Sequence, residues 1–366
     1  MRKQRAQNLP TKGIFRRFRV FRVFRGSPLF SPRVSRVSRS PTRFWSLWLL
    51  GVGFVLTFSA IASPAAPAGQ TTVITVVGAA GEPEYAAIFR QEAALWKKAC
   101  AKGGARLISL GLGAEGATND FDLLKQTLAS QPTDGLAQLW IVLIGHGTFD
   151  GQAAKFNLRG PDVTAAEMAG WLRPFTRPLA FIDTSASSAP FLNQLSRSNR
   201  VVITATRSGN EINFTRFGQF FAQAISDPRA DLDKDGEVSL LEAFLSASRQ
   251  TAEFYKLQGR IITEHALLDD NGDKLGTPAD WFQGLRPAKK PRSNTAVDGL
   301  LAGQFCLIPS QSERKLTTQE RAQRDALERA VFRIRAEKGT LPKDEYYRKL
   351  EKPLLELARF YESKSL

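Results

Sequence analysis

The sequence predicts an α/β fold, a mostly parallel sheet with helices on both faces, followed by a C-terminal helical hairpin. Three observations predict it. From Thr71 onward, short apolar runs alternate with amphipathic stretches, the pattern of strand–helix–strand units. One run, LWIVLIG (139–145), is apolar throughout, as expected of a strand covered on both faces. Beyond residue 310, two charged segments carry apolar residues at helical spacing.

Taken in order, VITVVGAA (73–80) reads as a first strand and residues 84–101 as a helix offering Ala87, Phe89, Ala94, Leu95 and Trp96 for burial. ARLISLG (105–111) is a second strand. The segment 119–130 is a helix begun by Asn119 or Asp120 as cap. After the strand at 139–145, residues 162–172 form a helix carrying the capping box Thr164-x-x-Glu167. PLAFID (178–183) and RVVITAT (200–206) are further strands, and Asn213 to Ile225 a helix. Residues 286–299, rich in Pro and Lys/Arg, read as an exposed loop, with a short strand completing 286–310. Thr317 to Ala336 and Lys343 to Glu362 make the hairpin, within 311–366, opened by Thr317-x-x-Glu320. Its Leu327, Val331, Ile334, Leu350, Leu354, Leu357 and Phe360 are placed to pack it on the domain.

Charge separates the chain into two parts. The formal net charge is +16, yet residues 1–43 hold thirteen Lys/Arg and no Asp/Glu. The remainder carries 38 basic against 35 acidic residues, so the body makes no case for binding nucleic acid. Phe44 to Ala62 is a 19-residue apolar stretch ending in Ala60-Ile61-Ala62. A basic flank, an apolar stretch and an A-x-A site make an export signal, and its length approaches that of an N-terminal membrane anchor. The expectation is export to the periplasm or the extracellular side, with membrane contact only through an uncleaved segment 44–62. Residues 1–43 read as a repetitive basic leader, part of which is expected to lie upstream of the true translation start, and 63–71 as a linker to the domain at 72–285. Cys100 and Cys306 are the only cysteines. They permit one disulfide but indicate no disulfide framework, and without a CxxC there is no thioredoxin or zinc-ribbon signal.

Ligands of doubly wound sheets sit outside the carboxyl ends of the strands. Two such ends stand out. One is LWIVLIG-His146-Gly147, and the other FID-Thr184-Ser185-Ala186-Ser187. With these residues the sequence resembles the caspase–legumain group of cysteine peptidases, closest to its legumain-like bacterial members, over roughly residues 72–275. His146-Gly147 matches the group's strand-ending His-Gly. Asp183-Thr184-Ser185-Ala186-Ser187-Ser188 aligns with its Asp/Glu-Ala-Cys-x-Ser-Gly, and ITATRSGNE (203–211) falls where the group builds the pocket for the substrate's first side chain. The resemblance therefore implies a caspase–hemoglobinase-like sheet, His146 and Ser185 at the catalytic positions, and Gly147 in the oxyanion region. It also implies Asp183, Thr206, Arg207 and Ser208 around the substrate pocket.

The departure is Ser185, which stands where the group has its nucleophilic Cys. A thiol is a few per cent thiolate near neutrality, whereas a hydroxyl needs a general base, an orienting carboxylate and an oxyanion hole. No carboxylate is evident to orient His146, although Asp150 is near in sequence. Neither Cys100, inside an amphipathic helix, nor Cys306, in an apolar strand-like run, replaces the nucleophile. The expected function is a peptidase-fold domain that binds a peptide or protein partner without cleaving it; the alternative is an endopeptidase or hydrolase using Ser185 and His146.

A second motif is independent of that resemblance. Asp231-Leu-Asp233-Lys-Asp235-Gly236-Glu237-Val238-Ser239-Leu-Leu-Glu242 satisfies the twelve-residue EF-hand loop D-x-[DN]-x-[DN]-G-x5-E. Asp231, Asp233 and Asp235 would supply carboxylates to Ca²⁺ and Glu237 its backbone carbonyl. Ser239 would act directly or through water, and Glu242 would close the shell. The plainer reading is an acidic loop that caps a helix at Glu242. The run Asp269-Asp270-Asn271-Gly272-Asp273 reads as a turn or the partner of this loop, and His265 and Phe89 as structural. GLGAEG (111–116) fits neither a P-loop nor a dinucleotide fingerprint.

Overall fold

A computed structural model describes residues 69–113, 119–289 and 298–364. The leader and the apolar stretch 44–62 lie outside the described residues. The chain runs β1 (Thr72–Val77), α1 (Pro83–Gly103), β2 (Arg106–Leu110), α2 (Asp120–Ala129) and β3 (Leu139–Ile144). A small antiparallel sheet follows, made of β4 (Gly147–Phe149), β5 (Ala154–Phe156) and β6 (Val163–Thr164). Next come α3 (Ala165–Leu172), β7 (Leu179–Asp183), α4 (Ala189–Leu195), β8 (Arg200–Thr204), α5 (Phe217–Ala224) and α6 (Leu240–Leu257). Then β9 (Leu267–Asp269) and β10 (Thr277–Pro278) complete the main sheet, and β11 (Phe282–Gln283) pairs with β12 (Arg286–Pro287). Helices α7 (Thr318–Ala336) and α8 (Lys343–Lys364) close the chain.

The seven-stranded sheet has the order β10-β9-β8-β7-β3-β1-β2. Its β2, β1, β3, β7 and β8 pair in parallel, while β9 and β10 are antiparallel. The fold is therefore α/β and mostly parallel, as the apolar runs require. Strand period two divides each strand between two cores. Val73, Trp140, Val142, Ile182 and Ile203 pack with α1, α5 and α6. Ile74, Ile141, Leu143, Phe181 and Val202 pack with α2, α3 and α4 on the other face. Trp96 and Trp140 meet edge to face at 6.3 Å in the first core.

The caps stand where the sequence puts them. Asn119, not Asp120, accepts from Asp122 N, and Thr164 and Thr317 close reciprocal capping boxes with Glu167 and Glu320. Other expectations need correction. On α1 the buried stripe is Phe89, Glu92, Ala93, Trp96, Ala99 and Cys100, so Ala87 and Ala94 face solvent. The helix expected at 213–225 begins only at Phe217, because residues 213–216 carry the loop from β8 over the strand ends. Within the 286–299 loop, Asp298 is buried, accepting from Asp270 N, Asn271 N and the Thr277 hydroxyl. Around Cys306 the only β pairing among the described residues is a single bridge with Ser239. Both cysteines are free thiols. The small sheet and α4, both absent from the expected elements, are two- to seven-residue pieces too short to show a period.

Among the described residues no helix is long and apolar enough to cross a membrane. The hairpin helices pack on each other with Tyr346, Pro353 and Phe360 buried. Polar contacts join them to the domain: Arg329 donates to Gln304 Oε1 at 2.6 Å, and Arg324 pairs with Glu313.

Candidate functional site

Strand order turns between β1 and β3, the kind of switch point at whose carboxyl edge sheets of this class bind ligands. His146 follows β3 there, and its Nε2 lies 3.3 Å from the Ala80 carbonyl in the loop after β1. A carbonyl only accepts, so Nε2 carries the proton. Three rings surround the imidazole: Tyr85 at 4.6 Å, Phe89 at 5.1 Å and Phe214 at 5.8 Å, all edge-on. Burial among them lowers its pKa, against the opposing Ala80 bond. The ring is therefore neutral at pH 7, with Nδ1 unprotonated. Phe89, expected as a core residue, is also one wall of the histidine's setting.

No carboxylate is bonded to His146 among the described residues. Asp150 instead takes Gln152 N and Ala153 N, closing the turn between β4 and β5. The small sheet follows the histidine directly, and Asn157 N returns to the His146 carbonyl.

Strand β7 pairs with β3, and its last residue is Asp183. The Ser185 hydroxyl is fully buried and donates to Asp183 Oδ1 at 2.6 Å. The same oxygen also accepts the Ser185 N–H at 3.0 Å. Among the described residues Asp183 Oδ2 has no hydrogen-bond partner. Burial pushes the Asp183 carboxyl up to about 6, with the two Ser185 bonds pulling the other way. Among the described residues Ser185 and His146 share no hydrogen bond. Gly147 passes directly over the serine: a Cβ on it would meet Ala186 O at 2.2 Å and Ser185 Oγ at 2.6 Å. Only glycine allows that approach.

The expected pocket residues separate into two levels. Asp183 and Thr206 are buried and cannot wall an open pocket, since Thr206 Oγ1 is used by Ser188 Oγ and Ala189 N. Arg207 is exposed and Ser208 half-buried. Arg207 pairs with Glu211, whose carboxylate also accepts Arg207 N, His265 N and His265 Nδ1. His265 is thus a partner of the pocket loop, tied at 2.5 Å to a carboxylate.

Sequence reasoning did not single out Glu92, Tyr85, Phe214 or Glu211. Glu92 lies under the site, and Thr184 Oγ1 stands 3.3 Å from its Oε1. Desolvation raises its pKa to about 8, so it is protonated at neutral pH. Its place three after Phe89 and four before Trp96, within the buried stripe of α1, was the available signal.

In the loop at 231–242, the Asp231, Asp233 and Asp235 carboxylates lie within 4.8 Å of one another. Lys234 and Gly236 take positive φ, as the tight loop requires. Ser239 and Glu242 are brought to each other instead, as the capping box of α6, and Glu242 Oε1 also accepts Leu232 N. The Glu237 carboxylate accepts Ser310 N at 2.6 Å, and its backbone carbonyl remains the group assigned to the ion. The loop's β partner is Cys306, through Ser239, which overturns Asp269–Asp273 as that partner. Asp270 N and Asn271 N are held instead by Asp298, and Lys274 N by Ser196.

An α/β domain with a histidine and a buried Asp–Ser pair at adjacent strand ends is what fold and site define. No protein-family model matches the sequence, and no curated protein matches it. Among solved structures it is similar to the Drosophila initiator caspase Dronc, with 16% identity over 55% of this chain and 79% of that one, at a TM-score of 0.38. It is also similar to caspase-1 of Spodoptera frugiperda, at 10% identity, 56% and 86% coverage and TM-score 0.35. A protein from Geobacter sulfurreducens matches at 11% identity, 50% and 89% coverage and TM-score 0.33.

Proposed function

We propose that this chain is an exported domain of caspase–legumain type that binds a peptide or protein partner and does not cleave it. One observation carries the reading. The Ser185 hydroxyl is fully buried beneath Gly147, out of a substrate's reach, and Asp183 Oδ1 takes the Ser185 N–H that oxyanion stabilisation would need. His146, neutral and turned to Ala80, is not bonded to that hydroxyl. The carboxyl edge at the β1/β3 switch point is left to hold a ligand's backbone. Export rests on the signal-like residues 44–62, and N-terminal sequencing of the secreted protein checks it.

Calcium in the loop 231–242 is the second part of the proposal. The three clustered carboxylates fit a hard cation in charge and spacing. Glu242 would complete the shell only by giving up its bonds to Leu232 N and Ser239.

The experiment is hydrolysis of a mixed peptide pool by purified wild type and Ser185→Ala, each with and without Ca²⁺. No cleavage by either protein is the expected result. Cleavage by wild type that disappears in the variant would establish a serine hydrolase and overturn the reading.

A further inference from the structure

The three most exposed large apolar side chains among the described residues stand together. Ile261 is 88% exposed, Leu257 75% and Ile212 69%. Leu257 ends α6, and Ile261 lies four residues beyond it. Ile212 comes from the loop after β8. Its neighbour Glu211 brings that loop to the same place by accepting His265 N and His265 Nδ1, and Asn213 and Ile261 border one hollow. The backbone beneath is held: Gln258 N, Gly259 N and Arg260 N turn back to Phe254 O, Lys256 O and Tyr255 O. Exposed apolar residues grouped on an ordered backbone mark an interaction surface.

Basic residues flank this apolar crown. Arg249 and Lys256, seven apart, share one side of α6, and Arg260 follows its end. All three are exposed, and among the described residues their side chains have no hydrogen-bond or ion-pair partner. Glu253 is the one exposed acid from 249 to 262, and Glu211 is taken by Arg207 and His265. The side-chain types select the partner. Protein interfaces are anchored by Trp, Tyr and Arg seated in pockets, whereas these aliphatic groups project outward. Projecting aliphatic groups flanked by long basic side chains match a bilayer surface. There the apolar groups enter the acyl boundary and the cations stay with anionic headgroups.

We propose that Ile212, Leu257 and Ile261 insert into an anionic lipid bilayer, with Arg249, Lys256 and Arg260 against its headgroups. This goes beyond the peptide-binding reading and does not rest on it. Tyr85 borders the same hollow as Ile261 and packs on His146, so docking turns the candidate site towards the membrane. The contact would add to the one expected of residues 44–62. Periodicity does not reveal it, because its residues come from two separate segments.

The test places an environment-sensitive NBD label on the full chain carrying Cys306→Ser, at Ile261→Cys or, as reference, at Tyr347→Cys on α8. Any insertion through residues 44–62 is common to both proteins, so only the label's position separates them. With vesicles of phosphatidylcholine and about one-third phosphatidylglycerol, the label at 261 is expected to shift its emission to the blue and to be quenched by doxyl lipid. The label at 347 is expected to do neither. Lys256→Gln should lower the docked-to-free ratio about five-fold, as loss of one cation near a charged surface does. Ile212→Ser with Leu257→Ser should abolish the shift at 261 and leave the melting temperature unchanged, both positions being exposed. Several results would each overturn the proposal: no shift at 261, equal quenching at 261 and 347, an equal shift in pure phosphatidylcholine, or a shift that survives both Ser substitutions. A shift without lipid that grows with protein concentration would also overturn it and assign the face to a second copy of the chain.

Discussion

Ser185 gives its hydroxyl to Asp183 across 2.6 Å, two residues back along the same chain and beneath Gly147. A carboxylate that already lacks a partner for its second oxygen depends on this bond. Ser185→Ala should therefore cost stability, about 2 kcal/mol, as expected for a hydrogen bond to a buried charged group. Chemical denaturation at pH 7 measures it. A neutral substitution would mean that the serine is not the carboxylate's main support. Ser185→Cys should remain inactive towards peptides, since its thiol would be as buried as the hydroxyl and no closer to a base.

Gly147 is expected to tolerate no side chain. The nearest atom to an added Cβ is the backbone oxygen of Ala186 at 2.2 Å, which cannot swing aside as a flexible side chain would. Gly147→Ala should lose roughly 1–3 kcal/mol through overpacking. An unchanged melting temperature would show that the β4 approach is looser than the geometry describes.

Glu92 sets a pH dependence. Its folded-state pKa of about 8 lies above the ordinary 4.5 because burial disfavours the charge. The folded chain holds this proton more tightly than the unfolded chain, so stability falls as pH rises from about 4.5 to about 8. Full loss amounts to about 5 kcal/mol. Glu92→Gln keeps the shape and an acceptor for Thr184 and should flatten this part of the profile. Thermal unfolding of both proteins between pH 5 and 9 checks it; parallel profiles would contradict the assignment.

Calcium should raise the melting temperature by binding only the folded loop. At ten times its Kd the stabilisation is about 1.4 kcal/mol. Asp233→Ala, which removes one of the three clustered carboxylates, should abolish the shift. Wild type that melts unchanged in millimolar Ca²⁺ would show the loop to be a helix cap and no more.

Several of these features are legible in the sequence. The parallel sheet followed from runs such as 139–144, whose residues are apolar on both faces, and the caps at Asn119, Thr164 and Thr317 followed from side chains that bond their own next turn. His146-Gly147 and Asp183–Ser188 were legible as strand ends for the same reason. The helix expected from Asn213 failed because residues 213–216 answer to Glu264, Tyr85 and Phe254, not to their sequence neighbours.

What the sequence by itself determined is what local chemistry encodes: periodicity, capping, the run of carboxylates at 231–235 and the presence of a hydroxyl where a thiol is expected. Only the tertiary structure decided that Ser185 turns to Asp183, that Glu92 is buried under Thr184, that Glu211 receives His265, and that Arg216 lies against the Phe214 and Phe254 rings. Each depends on which groups from distant segments are brought within about 3–5 Å and shielded from water. Short-range pattern carries no record of those partners, and in a low-dielectric interior the partners decide the chemistry.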